Sequence, residues 1–307
     1  MVKGLHKQGK MAWVTVSVLM HLLFAPSHTL ANPVEKGASL ADSINALAED
    51  PDFITASLLI VEPGNKVYSI YGHAAIRLQN PANQLDYCFT FEMLLGTFDQ
   101  LKFLFSTAKS GYNAFPTEQF IAQYQKENRG ITEYVLNLNP QQEQELWRRL
   151  DEELVRGPVW NYSFLTTNCS SMCVYAIESS LQGEHIEYHN LHPALTGTYT
   201  DLLEFISRNA PWSELFWKIR MGKKGSENGE LNDKLAPEML PDAWMKATFV
   251  DSLGNSRPVL AGAPVTLLPW SGKPQQPPLL TPVRTLLLLT LILVIYFLFH
   301  YLKKVRL

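Results

Sequence analysis

At the centre of the chain stands the sequence Thr166-Thr-Asn-Cys-Ser-Ser-Met-Cys173, which joins a polar loop to a predicted helix over residues 170–181. This sequence places Cys169 where the loop becomes the helix. The first turn of a helix has unpaired N–H groups and the positive end of the helix dipole. Both favour the thiolate form of a cysteine, which is its nucleophilic form. We therefore expect Cys169 to be a reactive thiol around which the other functional residues are arranged.

A cysteine nucleophile needs a base, and His73 is the predicted base. It follows Gly72 on a predicted strand, and a glycine there allows another backbone or a ligand to approach closely. A single histidine on a strand is usually structural, but its combination with a cysteine at a helix start favours catalysis. A third group should orient the histidine from the neighbouring strand, where Thr90, Glu92 and Asp86 are candidates. Of these we select Glu92.

Two further groups are candidates for stabilising an oxyanion, the Tyr71 hydroxyl and the Asn168 amide. The chain has three cysteines, an odd number that is too small for a disulfide scaffold. Cys173 lies one helical turn after Cys169, and a disulfide inside a regular helix would be strained. Cys88 is predicted to be a plain buried residue.

Both ends of the chain predict membrane targeting. Residues 1–31 have lysines, an apolar run and a small-residue site, which is typical of a cleaved signal peptide, with an uncleaved anchor as the alternative. Residues 32–270 form the predicted body, followed by a Pro-rich stalk over 271–284. Residues 285–302 are uncharged and long enough to span a bilayer. The basic tail at 303–307 should stay in the cytoplasm, which places the body in the periplasm and the protein in the bacterial inner membrane.

The body is predicted to be an α+β domain. Strands are expected at 53–61, 66–78 and 85–91 as an antiparallel meander, with turns at Gly and Pro between them. Amphipathic periodicity predicts helices at 118–126 and 141–155. Further expectations are a strand at 131–138, a helix at 199–207, a mobile loop at 223–234 and strands at 244–250 and 259–267.

Several classes of function are disfavoured. A net charge of −3 gives no basic footprint for nucleic acid. His185, His189 and His192 lie close together, but no acidic or cysteine partner has zinc spacing, so we expect neither metal nor cofactor. The apolar residues of 89–105 are expected to be core, with an acyl-binding or membrane surface as the alternative.

Three blocks carry a resemblance to a known family. They are Tyr-Gly-His73-Ala-Ala-Ile-Arg, then Tyr124-x-x-x-Asn128-Arg129 with Leu136-Asn-Leu-Asn-Pro behind it, and then Tyr162-Ser-Phe-Leu-Thr-Thr-Asn168-Cys169-Ser170. Over about residues 53–180 the chain resembles the N-terminal periplasmic domain family of Lnb-type lipoprotein N-acyltransferases. The resemblance implies a permuted papain-like, NlpC-type thiol fold with packed helices, in which His73 is the base and Cys169 the nucleophile.

The resemblance also implies a reaction. Cys169 would take an acyl chain from a phospholipid as a thioester, and the α-amine of a bacterial lipoprotein would then receive it. The chain departs from such enzymes in having one predicted membrane helix rather than several. The alternatives are a thiol amidase or peptidase acting on cell-wall peptide, and a non-catalytic envelope protein.

Overall fold

The computed structural model describes residues 54–66, 68–93, 108–231, 235–272 and 276–305. The predicted signal peptide lies outside the described residues, as does the part of the apolar tract at 94–107. In the described residues the protein is a mixed α+β structure with antiparallel sheets, as the sequence predicted.

The main sheet has seven strands, which are β1 Thr55–Val61, β2 His73–Asn80, β3 Leu85–Met93, β4 Lys109–Pro116, β5 Ile131–Val135, β6 Trp160–Asn161 and β10 Val265–Leu268. Their order in the sheet is β10-β5-β1-β2-β3-β4-β6, and all its pairs are antiparallel. A smaller sheet contains β7 His185–Glu187, β8 Thr248–Val250 and β9 Ser256–Pro258.

The α-helices in the described residues flank the sheets and carry the chain towards the C-terminus. Their bounds are α1 Thr117–Lys126, α2 Pro140–Arg156, α3 Cys169–Glu178, α4 Pro193–Thr196, α5 Tyr199–Ile206, α6 Pro211–Met221, α7 Leu240–Met245 and α8 Pro282–Val305.

Alternating side chains of β2 point into two hydrophobic cores, as the period of two in a strand requires. Ala74, Ile76 and Leu78 pack in the larger core with residues of α2, α3 and α5. Ala75 packs in the smaller core with Phe120 and Tyr124 of α1. The central strands are thus covered on both faces, which fixes the ends of β2 and β3 in place.

Local sequence signals explain several boundaries. Asn139 caps α2 by accepting a hydrogen bond from the Gln142 N–H, and the Gln142 side chain accepts one from the Asn139 N–H. This reciprocal pattern is a capping box, with Pro140 favourable at the first helical position. Gly157 ends the helix with φ of 58°, a left-handed conformation that glycine adopts readily.

Three of the predicted elements were wrong. Residues 68–71 form a turn, so β2 begins at His73 instead of continuing a strand from residue 66. Residues 223–226 were expected to lie in a mobile loop but belong to a short 3₁₀ helix, Gly222–Ser226. Trp244 was assigned to a strand but lies in α7. Its side chain is buried in the core, and an apolar residue is expected there in a strand or a helix, so its apolar character did not distinguish the two.

One helix of the described residues, α8, is long and apolar enough to cross a membrane. It begins at Pro282, three residues before the predicted span, and extends to Val305. Its leucine, isoleucine and phenylalanine side chains are exposed along its length. This pattern is typical of a single membrane helix and agrees with the predicted C-terminal span.

Candidate active site

Asn168 shapes the turn that presents Cys169. Its backbone is extended, and its side-chain Oδ1 accepts hydrogen bonds from the N–H groups of Ser170 (2.9 Å) and Ser171 (3.0 Å). Its Nδ2 donates to the Phe164 carbonyl at 3.0 Å. The amide is thus engaged at both ends by the helix cap and the loop. Asn168 therefore positions the turn, and the oxyanion role considered from the sequence stays a prediction.

The thiol of Cys169 reaches the end of the central sheet. The pairing of β2 with β3 begins at Ala75 and Thr90. One residue earlier in β2, the Ala74 N–H faces the Cys169 sulfur and favours its thiolate form. Cys169 therefore lies beside the residue that follows His73, and the two predicted catalytic residues are brought to one place.

His73 opens β2 immediately after a glycine with a positive φ. Gly72 has φ of +81°, and a Cβ at this position would lie 2.8 Å from the Val61 carbonyl oxygen. A glycine is required here because both the backbone conformation and the approach of β1 exclude a side chain. The turn directs the chain into β2 with the His73 ring beside Tyr124 of α1, at 6.2 Å between ring centroids.

Thr90 holds the imidazole of His73. The Thr90 Oγ1 is 2.5 Å from His73 Nε2, whereas the nearer oxygen of Glu92 is 4.0 Å from it. Thr90 and Asn113 both hydrogen-bond the Glu92 carboxylate. With Glu92 ionised, its carboxylate only accepts, so Thr90 donates to Glu92 and accepts from the Nε2–H of His73. This network assigns the proton to Nε2 and leaves Nδ1 as the basic nitrogen.

The third sequence candidate, Asp86, is engaged elsewhere. It accepts hydrogen bonds from Arg77 at 2.7 Å and from the Thr117 hydroxyl at 2.5 Å. Arg77 also pairs with Glu133 across the sheet. Asp86 therefore belongs to a structural ion-pair network further along β2 and β3, and His73 is oriented by Thr90 with Glu92 behind it.

Burial sets the protonation of both reacting groups. Burial and, as the smaller cause, the positive charge of Arg129 together lower the pKa of the His73 imidazole to about 3. Burial also raises the pKa of the Cys169 thiol, although the N–H groups of Ala74, Cys169 and Ser170 oppose the rise. The expected resting thiolate is therefore not found: desolvation outweighs the favourable effect of the helix start. The resting pair is a neutral thiol and a neutral imidazole.

Among the described residues, the thiol and the imidazole make no direct hydrogen bond. Catalytic hydrogen bonds are often long before substrate binds and tighten in the complex. A neutral imidazole with its Nδ1 unprotonated is in the state required of a general base. The imidazole is therefore in the form that can accept a proton, but a pKa of about 3 makes it a weak base in the unliganded protein.

Cys169 and His73 open onto one cavity of about 290 Å³. Much of its wall is aromatic or aliphatic. These lining residues include Tyr71, Phe91, Met93, Tyr124, Tyr162, Phe164, Leu165, Leu202 and Ile206. Polar side chains also line it, among them Lys66, Gln123, Glu127 and Arg129. The cavity can accept an apolar chain next to a polar group.

Arg129 is a site residue to which sequence reasoning gave no role. Its side chain is 5% exposed and stacks over the Tyr124 ring at 4.8 Å. Its Nε donates to the Glu62 carbonyl and its Nη1 to Glu127, while its Nη2 is buried without a partner among the described residues. The sequence block Tyr124-x-x-x-Asn128-Arg129 could have pointed to Arg129, because it contains both the arginine and the tyrosine on which the arginine stacks.

The remaining predicted residues have structural positions. The Tyr71 hydroxyl bonds Ser207 at 3.0 Å and Ser213 at 2.7 Å, which engages it away from an oxyanion role. Cys88 is buried, as predicted, with its sulfur 3.3 Å from the Thr117 hydroxyl. Cys173 is buried in the larger core. All three cysteines are free thiols.

The histidines of the region 185–192 have local contacts. His189 Nε2 lies 3.1 Å from the Thr248 hydroxyl. His192 caps α4 by accepting a hydrogen bond from the Ala194 N–H. In the part of the chain that the structure describes, no cluster of histidine, cysteine and acidic residues has the arrangement of a metal site.

Fold and site together define an α+β domain in which a helix-start cysteine and a strand histidine share an apolar pocket. The chain belongs to the Lnb N-terminal periplasmic domain family, whose model matches residues 45–203, just over half of the sequence. The matched region includes both His73 and Cys169, while α6, α7 and α8 follow it. No curated protein and no solved structure gives a significant match to the chain.

Proposed function

We propose that the protein is a membrane-anchored periplasmic acyltransferase that works through a thioester on Cys169. The donor is a phospholipid and the acceptor is the α-amine of a bacterial lipoprotein. The observation that carries the proposal is the position of the Cys169 thiol, between the His73 end of β2 and an apolar-walled cavity. A thiol so placed can attack an acyl ester whose chain lies in the cavity.

The first half-reaction forms the thioester. The Cys169 S–H proton moves to Nδ1 of His73 as the sulfur attacks the ester carbonyl carbon. The carbon–oxygen bond of the donor then breaks, and the imidazolium returns its proton to the leaving oxygen of the lysophospholipid. Because the pKa of His73 is about 3, its conjugate acid is a strong proton donor for that oxygen.

The second half-reaction transfers the acyl chain to nitrogen. The acceptor amine attacks the thioester carbonyl, and the carbon–sulfur bond breaks. The amine loses a proton through His73, and the thiol of Cys169 is restored. A low-polarity cavity suits this chemistry because excluding water protects the thioester from hydrolysis.

The proposed location follows from α8. Its apolar length fits one membrane crossing, and Lys303 and Lys304 lie in its last turn. Basic residues beside a membrane helix favour the cytoplasmic side. The body of the chain would then project from the inner membrane into the periplasm, in agreement with the family to which it belongs.

The polar side of the cavity supports a second candidate, a thiol amidase or peptidase acting on cell-wall peptide. Lys66, Gln123 and Glu127 line the cavity and would contact a charged peptide better than a lipid chain. The two candidates share Cys169 and His73. They differ in whether an acyl group stays on the sulfur until an amine arrives or is released at once to water.

Mass spectrometry of the intact protein purified from membranes tests the proposal. We expect a fatty-acyl mass on the wild type that hydroxylamine removes, because hydroxylamine cleaves thioesters. Cys169→Ala should lack it, and His73→Ala should have little of it. The Cys88→Ala variant is the matched control, since Cys88 is buried away from the cavity and its loss should leave the adduct in place.

Other outcomes separate the alternatives. A wild-type protein without an adduct, whose Cys169 still reacts with a small alkylating agent, would overturn the acyltransferase and favour the hydrolase. An unreactive Cys169 without an adduct would exclude both enzymes. An adduct that persists in Cys169→Ala would place the acyl group on another residue.

A further inference from the structure

Helix α6 connects the candidate active site to the start of α8. On one side of α6, Ser213 hydrogen-bonds the Tyr71 hydroxyl at 2.7 Å. On the same side, the Trp217 ring stacks on Phe164 with 4.2 Å between centroids. Tyr71 and Phe164 both line the cavity that holds Cys169. Any surface that fixes α6 therefore also fixes the orientation of the cavity.

A second side of α6 is apolar and exposed. Trp212, Leu215 and Ile219 are separated by three and four residues, so they lie along one face of the helix. Their exposed fractions are 47%, 38% and 73%. We call these three residues the α6 stripe. A contiguous apolar stripe on a helix surface is the usual mark of a contact with a partner or a membrane.

The position of the α6 stripe favours a membrane as its partner. The Trp212 indole N–H donates a hydrogen bond of 2.8 Å to the Leu280 carbonyl, two residues before α8 begins at Pro282. The stripe therefore starts beside the point where the chain would enter the membrane. Tryptophan is enriched at this depth because its ring is apolar and its N–H is polar.

Charge beyond the stripe is also suited to a lipid surface. Arg220 at the end of α6 is exposed, and so are Lys223 and Lys224 just after it. Basic side chains next to an apolar helix face attract anionic lipid headgroups. A protein partner would not need this combination of an interfacial tryptophan, aliphatic side chains and terminal basic residues beside a membrane helix.

We propose that the α6 stripe lies in the headgroup region of the same membrane that α8 spans, and holds the mouth of the Cys169 cavity at the lipid surface. The inference rests on the membrane anchoring proposed for α8. It does not depend on the reaction that Cys169 performs. Its ligand class is a lipid bilayer with anionic headgroups.

Depth-dependent fluorescence quenching tests it on the full chain in vesicles of zwitterionic and anionic phospholipid. A Cys169→Ala background removes the cavity thiol, and Cys88 and Cys173 are buried, so the dye should react with the introduced cysteine. An environment-sensitive dye is attached at Leu215→Cys or Ile219→Cys. Controls are Leu253→Cys, which is 85% exposed in the turn between β8 and β9, and Leu291→Cys in the middle of α8.

We expect dyes at 215 and 219 to have blue-shifted emission and to be quenched by nitroxide-labelled lipid, as at 291. The dye at 253 should remain water-exposed and unquenched. Adding Ile219→Glu should abolish lipid quenching at 215, whereas adding Val155→Glu, on the exposed end of α2, should not.

The outcomes are distinguishable. Quenching at 291 without quenching at 215 and 219 would refute the lipid contact of the α6 stripe and leave the membrane span of α8 supported. A blue shift without lipid quenching would mean that another protein surface covers the stripe, and would also overturn it. A lack of quenching at all three positions would overturn the membrane anchor itself, and with it the stripe.

Discussion

Thr90 Oγ1 lies 2.5 Å from Nε2 of His73, and the same threonine hydrogen-bonds the Glu92 carboxylate. The hydroxyl therefore stands between the imidazole and the acid, where the sequence had placed the acid alone. This chain of hydrogen bonds fixes the ring and its tautomer from the side opposite the basic Nδ1. A group that holds a catalytic histidine in one tautomer and one orientation is part of the catalytic arrangement.

Replacing Thr90 tests this role. Thr90→Val removes the hydroxyl at similar volume, so the imidazole loses its partner and can rotate. We expect thioester formation to slow on the order of 10²-fold, the usual consequence of a misplaced catalytic group. Thr90→Ser keeps the hydroxyl and should retain most of the rate. Equal rates in the Val and Ser variants would show that the hydrogen bond does not matter.

Arg129 should influence His73 through its charge. Its positive charge stabilises the neutral imidazole, so Arg129→Met should raise the pKa of His73 from about 3. The pKa should stay below its ordinary value of about 6.5, because burial is the larger cause and remains. Chemical shifts of ¹³C-labelled histidine rings against pH measure this, with the His73 signal assigned by His73→Gln.

Two variants control for that experiment. Arg129→Lys keeps the charge and should leave the His73 pKa low. Lys66→Met removes an exposed charge that lines the same cavity and should have little effect. An unchanged His73 pKa in Arg129→Met would refute the electrostatic link.

The pH dependence of Cys169 alkylation reports its ionisation. Because burial raises the thiol pKa, the thiolate fraction should increase continuously as pH rises from 6 towards and beyond 9. Alkylation of the unliganded protein by iodoacetamide should follow that increase, with Cys169→Ala as the blank. A rate plateau between pH 5 and 7 would instead indicate a preformed thiolate–imidazolium pair.

Gly72 should be intolerant of a side chain. Gly72→Ala would combine a φ of +81° with a Cβ placed 2.8 Å from the Val61 carbonyl. We expect it to destabilise the fold by more than about 1 kcal/mol, measured by urea unfolding. Gly254→Ala is the matched control, since its φ is +84° but nothing lies within 4 Å of the added Cβ. The difference between the two variants isolates the contact with β1, and equal effects would show that the contact costs nothing.

Sequence patterns predicted what depends on local chemistry. Cys169 was correctly placed at a helix start, because Asn168 and Ser171 form a capping box. The helix at 141–155 was confirmed within one residue at each end, because its apolar stripe and Asn139-Pro140 are strong signals. The long apolar helix at the C-terminal end of the described residues was similarly predictable from composition.

What the sequence missed depends on contacts between distant segments. Glu92 was selected over Thr90 and Asp86, but Thr90 makes the contact to His73, because the register of β2 and β3 sets these distances. The thiolate expectation failed because the degree of burial at Cys169 is a tertiary property. The relation of α6 to the cavity was invisible for the same reason: Trp217 stacks on Phe164, 53 residues earlier in the chain.

The hydrogen bond from Trp212 to Leu280 has a consequence for how substrates are found. The stalk was predicted over residues 271–284, and this bond ties the body to Leu280, two residues before α8 begins. If α8 spans the membrane as proposed, a body held so close to it searches for lipid substrates by lateral diffusion in two dimensions. Its rate should therefore follow the mole fraction of substrate within its own bilayer, and diluting the vesicles in buffer should leave that rate unchanged.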